Sequence, residues 1–263
     1  MTPARGKVYL VGAGPGAPDL ITVRGARLLA SADIVFYDAL VHPGTLALAG
    51  HSEKIAVGKR CGAHSTAQRF INKRLIDAAS RYRTVVRLKG GDPMLFGRAQ
   101  EEIDALQTAG IQFEVVPGVT AALAASAELG LSLTQRGVSR SVSLVTPRVG
   151  DGESASDWVK SVCNADSAAL YMAAGQQGAL ASSLLAGGLP PDTPVVIVEN
   201  ASLPEMTQVA TTLGALQGAA ERTTHGPALI LIGRAFRRAV FRLHADARDR
   251  AAARQAATTP LCA

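Results

Sequence analysis

Residues 84–108 read TVVRLKGGDPMLFGRAQEEIDALQT. Thr84–Leu88 is a β-branched run that reads as a buried strand. It breaks at Gly90-Gly91-Asp92-Pro93, and a helical pattern resumes over Gly97–Thr108 with a polar face rich in Glu and Gln. Strand, glycine turn and helix make half of a βαβ unit. Towards the N-terminus, Lys7–Gly12, Ile34–Tyr37 and Lys54–Val57 read as strands, with helices over Pro18–Ala32 and Thr66–Ala79. In the second of these helices Phe70, Ile71, Leu75, Ile76 and Ala79 recur at helical spacing. Towards the C-terminus, Phe113–Val116 is a strand stopped by Pro117-Gly118, and Val119–Leu129 a small-residue helix. This alternation predicts an α/β fold with a mostly parallel sheet and helices on both faces.

The pattern resets near Leu131–Gly137. Strands are predicted over Ser141–Val145, Ala168–Met172, Val195–Val198, Gln208–Thr212 and Leu229–Ile232, and helices over Ser156–Val162 and Gln177–Ala186. The expected organisation is two α/β domains, residues 1–130 and 131–240, with a ligand cleft between them. Residues 241–263 follow as a basic Ala/Arg-rich tail, expected to be disordered or a frayed helix.

Charge distribution decides what the net +6 of this 263-residue chain means. From Arg234 onward there are seven Arg and two Asp, so the preceding 233 residues carry a net charge of only +1. The basicity belongs to the tail. Aromatic residues are 4%, too few for stacking platforms, so no nucleic-acid partner is expected. No apolar run approaches the ~18–20 residues that span a bilayer, and no signal-like segment precedes the first strand. No membrane partner is expected. Cys61, Cys163 and Cys262 are odd in number and far apart, which fits a reducing cytoplasm rather than a disulfide framework. His42, His51, His64, His225 and His244 show no metal-ligand spacing, so no metal is expected.

Gly12, Gly14 and Ala17 satisfy a loose G-x-G-x-x-G/A after a strand, and Asp38 falls 21 residues beyond Ala17, where a ribose-binding acid would stand. A dinucleotide-binding oxidoreductase is therefore one reading. Against it, Pro15 and Pro18 each remove a backbone donor from a turn that would need free N–H groups to hold a pyrophosphate.

Several further segments, in order, resemble one family. They are Val8–Asp19 (VYLVGAGPGAPD), Ala32–Val41 (ADIVFYDALV), Val57–His64 (VGKRCGAH), Arg87–Glu102 (RLKGGDPMLFGRAQEE) and Phe113–Ala121 (FEVVPGVTA). In the second half come Leu131–Arg136 (LSLTQR), Leu170–Met172 (LYM), Thr193–Asn200 (TPVVIVEN) and Pro227–Gly233 (PALILIG). The set resembles the tetrapyrrole methylases over roughly Gly6–Gly233. Within them it is similar to the branch that methylates uroporphyrinogen III. A later corrin-ring methyltransferase, such as the precorrin-4 enzyme, is the alternative; Tyr37-Asp38 with Leu40-Val41, and Phe96-Gly97-Arg98, favour the first.

The resemblance implies the tetrapyrrole methylase fold and an S-adenosyl-L-methionine-dependent C-methyltransferase. It further implies that two methyl groups pass to uroporphyrinogen III, giving precorrin-2, and that the enzyme is a homodimer. It implies cofactor contacts at Pro15, Gly90, Gly91, Asp92, Leu95, Thr120, Ala121, Met172, Ala201 and Ala228. It assigns Arg98 and Arg136 to substrate carboxylates, which guanidinium groups hold well, and makes Glu101 the catalytic carboxylate. Outside the resemblance, Gly90-Gly91-Asp92 is also an ordinary turn with an Asx-type cap. Arg98 equally suits an i,i+3 or i,i+4 pair with Glu101 or Glu102.

The chain departs from the family pattern in three places. Gly97-Arg98-Ala99-Gln100-Glu101-Glu102 replaces the usual Gly-Arg-Gly-Gly-Glu-Glu, and Leu133-Thr134-Gln135-Arg136 replaces Leu-Thr-His-Arg. Pro147-Arg148 stand where Gly-His is common. The tail lies outside the resemblance and offers almost no large apolar residue to bury. Truncation after Phe241 is therefore expected to leave the thermal midpoint and turnover unchanged; a large drop in either would show that the tail docks.

Overall fold

The computed structural model describes residues 6–57, 68–150, 154, 156–219 and 226–242. The predicted tail, apart from its first residues, and the start of the Thr66–Ala79 helix lie outside them. The chain divides into two compact units, Met1–Ala124 and Ala125–Ala263.

In the first unit β1 (Lys7–Gly12), β2 (Ile34–Tyr37), β3 (Glu53–Ala56), β4 (Thr84–Lys89) and β5 (Phe113–Val116) form one parallel sheet in the order β3-β2-β4-β1-β5. Side chains alternate between its faces. Val8, Leu10, Ile34, Phe36 and Val85 pack under α3 (Gln68–Ala79) and α4 (Ala99–Thr108). Val11, Val35, Val86 and Leu88 pack against Leu29 of α1 (Val23–Ala30) and Leu46 of α2 (Pro43–Ala47). Each face thus has its own apolar layer, as both-sided burial of a parallel sheet requires. α5 (Ala121–Leu129) runs across the boundary between the units.

The second unit holds β6 (Val142–Val145), α6 (Trp158–Cys163), β7 (Ser167–Leu170), α7 (Gln177–Ala186), β8 (Pro194–Glu199), β9 (Thr207–Thr212), α8 (Leu216–Ala219) and β10 (Ala228–Gly233). Its sheet runs β6-β7-β10-β8-β9, and only β6 and β7 pair in parallel. The mixed sheet departs from the parallel pattern of the first half. Its centre is antiparallel because β10 runs opposite to both β7 and β8, and the short hairpin between β8 and β9 adds an antiparallel edge, since a parallel pair needs a crossover of about a dozen residues or more.

Three local differences from the sequence reading have physical causes. The Pro18–Ala32 helix starts only at Val23: Pro18–Leu20 makes a single 3₁₀ turn, and the Thr22 hydroxyl caps α1 by accepting from the Gly25 N–H at 3.1 Å. Strand β7 ends at Leu170, because Met172 takes a left-handed φ of 54° that no strand tolerates. Helices α2 and α8 are too short for periodicity to register. Among the described residues, no helix is long and apolar enough to cross a membrane, and Cys163 is a free thiol.

One carboxylate closes the start of the second sheet. Asp166 Oδ2 accepts from the N–H of Arg140 at 2.8 Å, the N–H of Ser141 at 3.0 Å and the Ser141 hydroxyl at 2.9 Å. These bonds, the Arg140 amide first, hold its carboxyl below the usual aspartate range. A depressed folded-state value stabilises above the unfolded pKa of about 3.9 and is lost as pH falls through the folded value. Asp166→Asn is expected to lower the thermal midpoint at neutral pH. The gap from the parent protein should close as pH falls below about 4 and the Asp166 carboxyl protonates, the amide of the variant being neutral throughout; equal melting of the two proteins at pH 7 would refute the role.

Candidate active site

The parallel sheet presents its C-terminal edge at β1, β2, β4 and β5, where open α/β sheets place ligands. The chain leaves β2 towards β3 and leaves β4 towards β5 on the other side, so the edge between β2 and β4 is a switch point. Three glycines meet beside it. A Cβ on Gly12 would stand 2.6 Å from both Cα and N of Gly118 and 2.7 Å from the Gly91 carbonyl oxygen; one on Gly118 would press on the same oxygen. Gly91 has φ 67° and open space beyond its α-carbon.

Hydrogen bonds tie the surrounding loops together. Gly14 and Gly91 exchange backbone bonds, at 3.2 Å from the Gly14 N–H and 2.7 Å from the Gly91 N–H. Asp92 Oδ2 accepts from the Gly118 N–H at 2.9 Å, and its Oδ1 from the Met94 N–H at 2.8 Å. Asp38 Oδ2 accepts from the Gly90 N–H at 3.2 Å, and its Oδ1 from the Leu40 N–H at 3.1 Å. The loops carrying Pro15, of Gly90-Gly91-Asp92 with Leu95, and of Thr120-Ala121 therefore share one edge. The Asx cap anticipated at Asp92 is present, and the same carboxylate also joins two loops.

This geometry corrects the dinucleotide reading. The Ala13 N–H is spent on the Lys89 carbonyl at 2.7 Å and the Gly14 N–H on Gly91, so neither points at a ligand. No helix opens on the glycine turn, since α1 begins eleven residues after Gly12. Asp38 is occupied by the Gly90 and Leu40 amides.

Arg98 and Glu101 meet, but not as two groups aimed separately into a cavity. Arg98 caps α4 in a left-handed conformation, φ 54°, and its Nε and Nη2 donate to Glu101 Oε1 and Oε2 at 2.7 and 2.8 Å. Both side chains are about half exposed, so the pair contributes only about 0.2–1 kcal/mol. The neighbouring Glu102 overturns the expected polar helix face. It is fully buried, bonded to Arg87 Nε at 3.1 Å and Lys89 Nζ at 2.9 Å. Burial, then the nearby Arg87 guanidinium, pull the Lys89 ammonium below the usual lysine range, with Glu102 opposing.

In the second unit, β7 and β8 both run antiparallel to β10 between them. Met172 and Ala201, past the ends of β7 and β8, and Ala228, at the start of β10, therefore share one edge of that sheet. Arg136 is exposed in a turn closed by bonds between Gln135 and Ser139. That turn is anchored through Gln135 Nε2 to the Ala235 carbonyl, beyond the far end of β10, so Arg136 stands at the opposite edge.

Five non-glycine residues have positive φ among the described residues: Phe96, Arg98, Met172, Asn200 and Ser202. Each is a predicted site residue or lies within two positions of one. Backbone strain of this kind costs about 1–3 kcal/mol per residue and gathers at functional sites.

The family model for tetrapyrrole (corrin/porphyrin) methylases matches residues 7–217. The chain belongs to this family. It is 42% identical over 229 residues to a uroporphyrinogen-III C-methyltransferase from Pseudomonas aeruginosa, covering 87% of this chain and 93% of that one. It is 43% identical over 230 residues to a siroheme synthase from Vesicomyosocius okutanii, of which it spans 49%. A crystal structure of uroporphyrin-III C-methyl transferase from Thermus thermophilus, complexed with S-adenyl homocysteine, superposes with a TM-score of 0.78 at 39% identity, covering 88% of this chain and 99% of that one. The α/β fold with two sheets is that of a tetrapyrrole methylase.

The sequence reading missed three features of this tetrapyrrole methylase: the buried Arg87–Glu102–Lys89 group, the Asp38–Gly90 bond and the strained backbone. The first left a signal. In a strand buried on both faces, alternation puts Arg87 and Lys89 on the face of Val85, and inward charges need a partner.

Gly12 tests the close approach directly. Gly12→Ala sets a methyl against backbone on two sides, with no flexible side chain to yield, and is expected to destabilise by about 1–3 kcal/mol or more. Denaturant unfolding measures it, and an unchanged midpoint would show that the strand ends can part.

Proposed function

We propose that the protein transfers methyl groups from S-adenosyl-L-methionine to uroporphyrinogen III, two per substrate, giving precorrin-2. The observation that carries this reading is the glycine-lined C-terminal edge of the first sheet, in a chain closely similar to an enzyme solved with S-adenyl homocysteine. The edge suits such a ligand: Gly91 leaves open space beside backbone polar groups, and a cofactor with an adenine and an amino-acid end needs close backbone approach more than charge. We assign its contacts to Pro15, Gly90, Gly91, Asp92, Leu95, Thr120 and Ala121 in the first unit and Met172, Ala201 and Ala228 in the second.

When bound, the cofactor supplies an electrophilic methyl group on sulfur. The chain's part is alignment and proton removal. Arg98 and Arg136 hold substrate carboxylates, and Glu101 accepts the proton that the macrocycle loses elsewhere to restore conjugation once the ring carbon, which carries no hydrogen, has taken the methyl group. In the free protein Arg98 is engaged by Glu101 through both of its oxygens. A substrate carboxylate competes for that guanidinium, and in winning it frees the Glu101 oxygens for the proton. Similarity over nearly the full length of the Pseudomonas aeruginosa relative favours uroporphyrinogen III over a later corrin ring. A homodimer and a cytoplasmic setting belong to the same reading.

Incubation with uroporphyrinogen III and labelled S-adenosylmethionine should transfer two methyl groups per macrocycle; none would refute the function. Glu101→Gln keeps the shape of the side chain and removes its basicity. Its kcat is expected to fall about 10²–10⁴-fold with affinity for S-adenosylhomocysteine unchanged, whereas near-normal turnover would leave Glu101 as a partner of Arg98 only. Arg136→Ala should mainly raise KM, by the loss of a charge-assisted bond of roughly 1.5–3 kcal/mol.

A further inference from the structure

The buried ionic group under the Gly90–Arg98 loop has no part in the chemistry above, yet it touches both ends of that loop. Glu102, in the first turn of α4, is reached from three sides. Arg87 Nε and Lys89 Nζ donate to it from β4, and Gln68 Nε2 donates to Oε1 from α3 at 3.1 Å. Arg87 continues outward. Its Nη1 donates to the Leu88 carbonyl at 2.9 Å, and its Nη2 lies 3.9 Å from Asp38 Oδ2, the oxygen that accepts from the Gly90 N–H. At the other end of the loop, a Cβ on Gly97 would stand 3.1 Å from Lys89 Cε, so the lysine stem lies against it. Asn72 Nδ2 of α3 adds a bond to the Glu101 carbonyl at 3.1 Å.

We infer that Glu102 is a positioning residue: with Arg87 and Lys89 it forms a buried clamp that holds the Gly90 end and the Arg98–Glu101 end of one loop against the same sheet edge. Stability alone does not account for three buried charges. Desolvation offsets most of what such ion pairs gain, and well-packed apolar replacements are often as stable or more so. What the arrangement supplies is geometry. Arg87 and Lys89 of the strand are each bonded to Glu102 of the helix, and Asp38, beside Arg87, accepts from the Gly90 N–H, so drift at either end of the loop that runs from Gly90 to Arg98 strains a charge-assisted bond. The inference rests on the cofactor reading above only for what the loop binds.

The test is Glu102→Gln in the full chain, with S-adenosylhomocysteine as the calorimetric probe from about pH 6 to pH 9. The charged and titratable groups facing Lys89 are Arg87 on its own strand, Glu102 on α4 and Asp38 beyond β2. In the variant Lys89 loses its close counter-charge. The dissociation constant is expected to rise about tenfold near neutral pH, the scale of one charge-assisted bond. The loss should lessen towards the alkaline end of the series, since Lys89 lies below the usual lysine range and its neutral amine can still bond to the amide. In Lys89→Met/Glu102→Gln the affinity should stay weak and flat with pH. Amide exchange of residues 90–98 should quicken in Glu102→Gln more than in the strands. A lowered thermal midpoint with unchanged, pH-flat affinity and unchanged loop exchange would overturn the clamp and leave a purely structural group. If Glu102→Gln does not fold, Lys89→Met decides: it keeps the bonds of Glu102 to Arg87 and Gln68, and unchanged affinity and loop exchange would overturn the proposal. Failure of the parent protein to bind S-adenosylhomocysteine would remove the cofactor reading, while loop exchange still judges the clamp.

Discussion

Strands β1, β4 and β5 converge at their C-terminal ends until backbone meets backbone at Gly12, Gly91 and Gly118. No side chain fits between them. The contact draws Gly14 into a two-way bond with Gly91 and brings Gly118 under Asp92. It also consumes the amides that a nucleotide phosphate would need. The same glycine-rich turn that could pass for a dinucleotide fingerprint thus serves here to pack three loops together. It leaves open only the outer flank of Gly91, which its left-handed φ turns away from the packed side.

Two adjacent glutamates show how the fold divides roles that a sequence presents as equal. One residue along an α-helix is a rotation of about 100°. That step takes Glu101 from the solvent, where it pairs with Arg98, to Glu102 in full burial between Arg87 and Lys89. Glu101 remains within reach of an incoming carboxylate or proton. Glu102 is locked by three donors and inaccessible to both. Competition at Arg98 is cheap because an exposed pair contributes little, whereas exchange at Glu102 would strand a buried charge. The arrangement couples an exchangeable ion pair to a fixed one through a single turn of helix.

Much of the first unit was legible because its signals are local. Lys7–Gly12, Ile34–Tyr37 and Phe113–Val116 are strands over the bounds that their β-branched runs suggest, and α3 buries Ile71, Leu75 and Ala79 of its apolar spacing while Phe70 stays half exposed. The loop 90–98 stood out in the sequence through its glycines and its place after a buried strand. What stayed hidden depends on contacts across the sequence. Glu102 reads as part of a polar helix face until β4 is seen to turn two cations towards it. The antiparallel centre of the second sheet depends on where β10 inserts, and nothing in the run Ala228–Gly233 specifies its neighbours. Positive φ at Phe96, Arg98, Met172, Asn200 and Ser202 has no signature either, since these residue types have no shared preference for that conformation.

The second sheet carries its own argument about Arg136. Because β10 is threaded between β7 and β8 in the opposite direction, the exits of those two strands and the entry of β10 fall on one edge. Residues as far apart in sequence as Met172, Ala201 and Ala228 become neighbours along that edge without any local motif joining them, and two strained residues, Asn200 and Ser202, bracket the middle one. Arg136 is excluded from this group by the same topology. Its turn is fastened beyond the far end of β10, through Gln135 to Ala235, where the family pattern has a histidine in place of Gln135. An amide that donates to a backbone carbonyl fixes the turn in one orientation at every ordinary pH, whereas an imidazole there would change its charge around pH 6–7. The substitution at Gln135 therefore preserves an anchor for Arg136 while removing a titratable group beside it. The Arg136 guanidinium then keeps the same neighbourhood across the pH range.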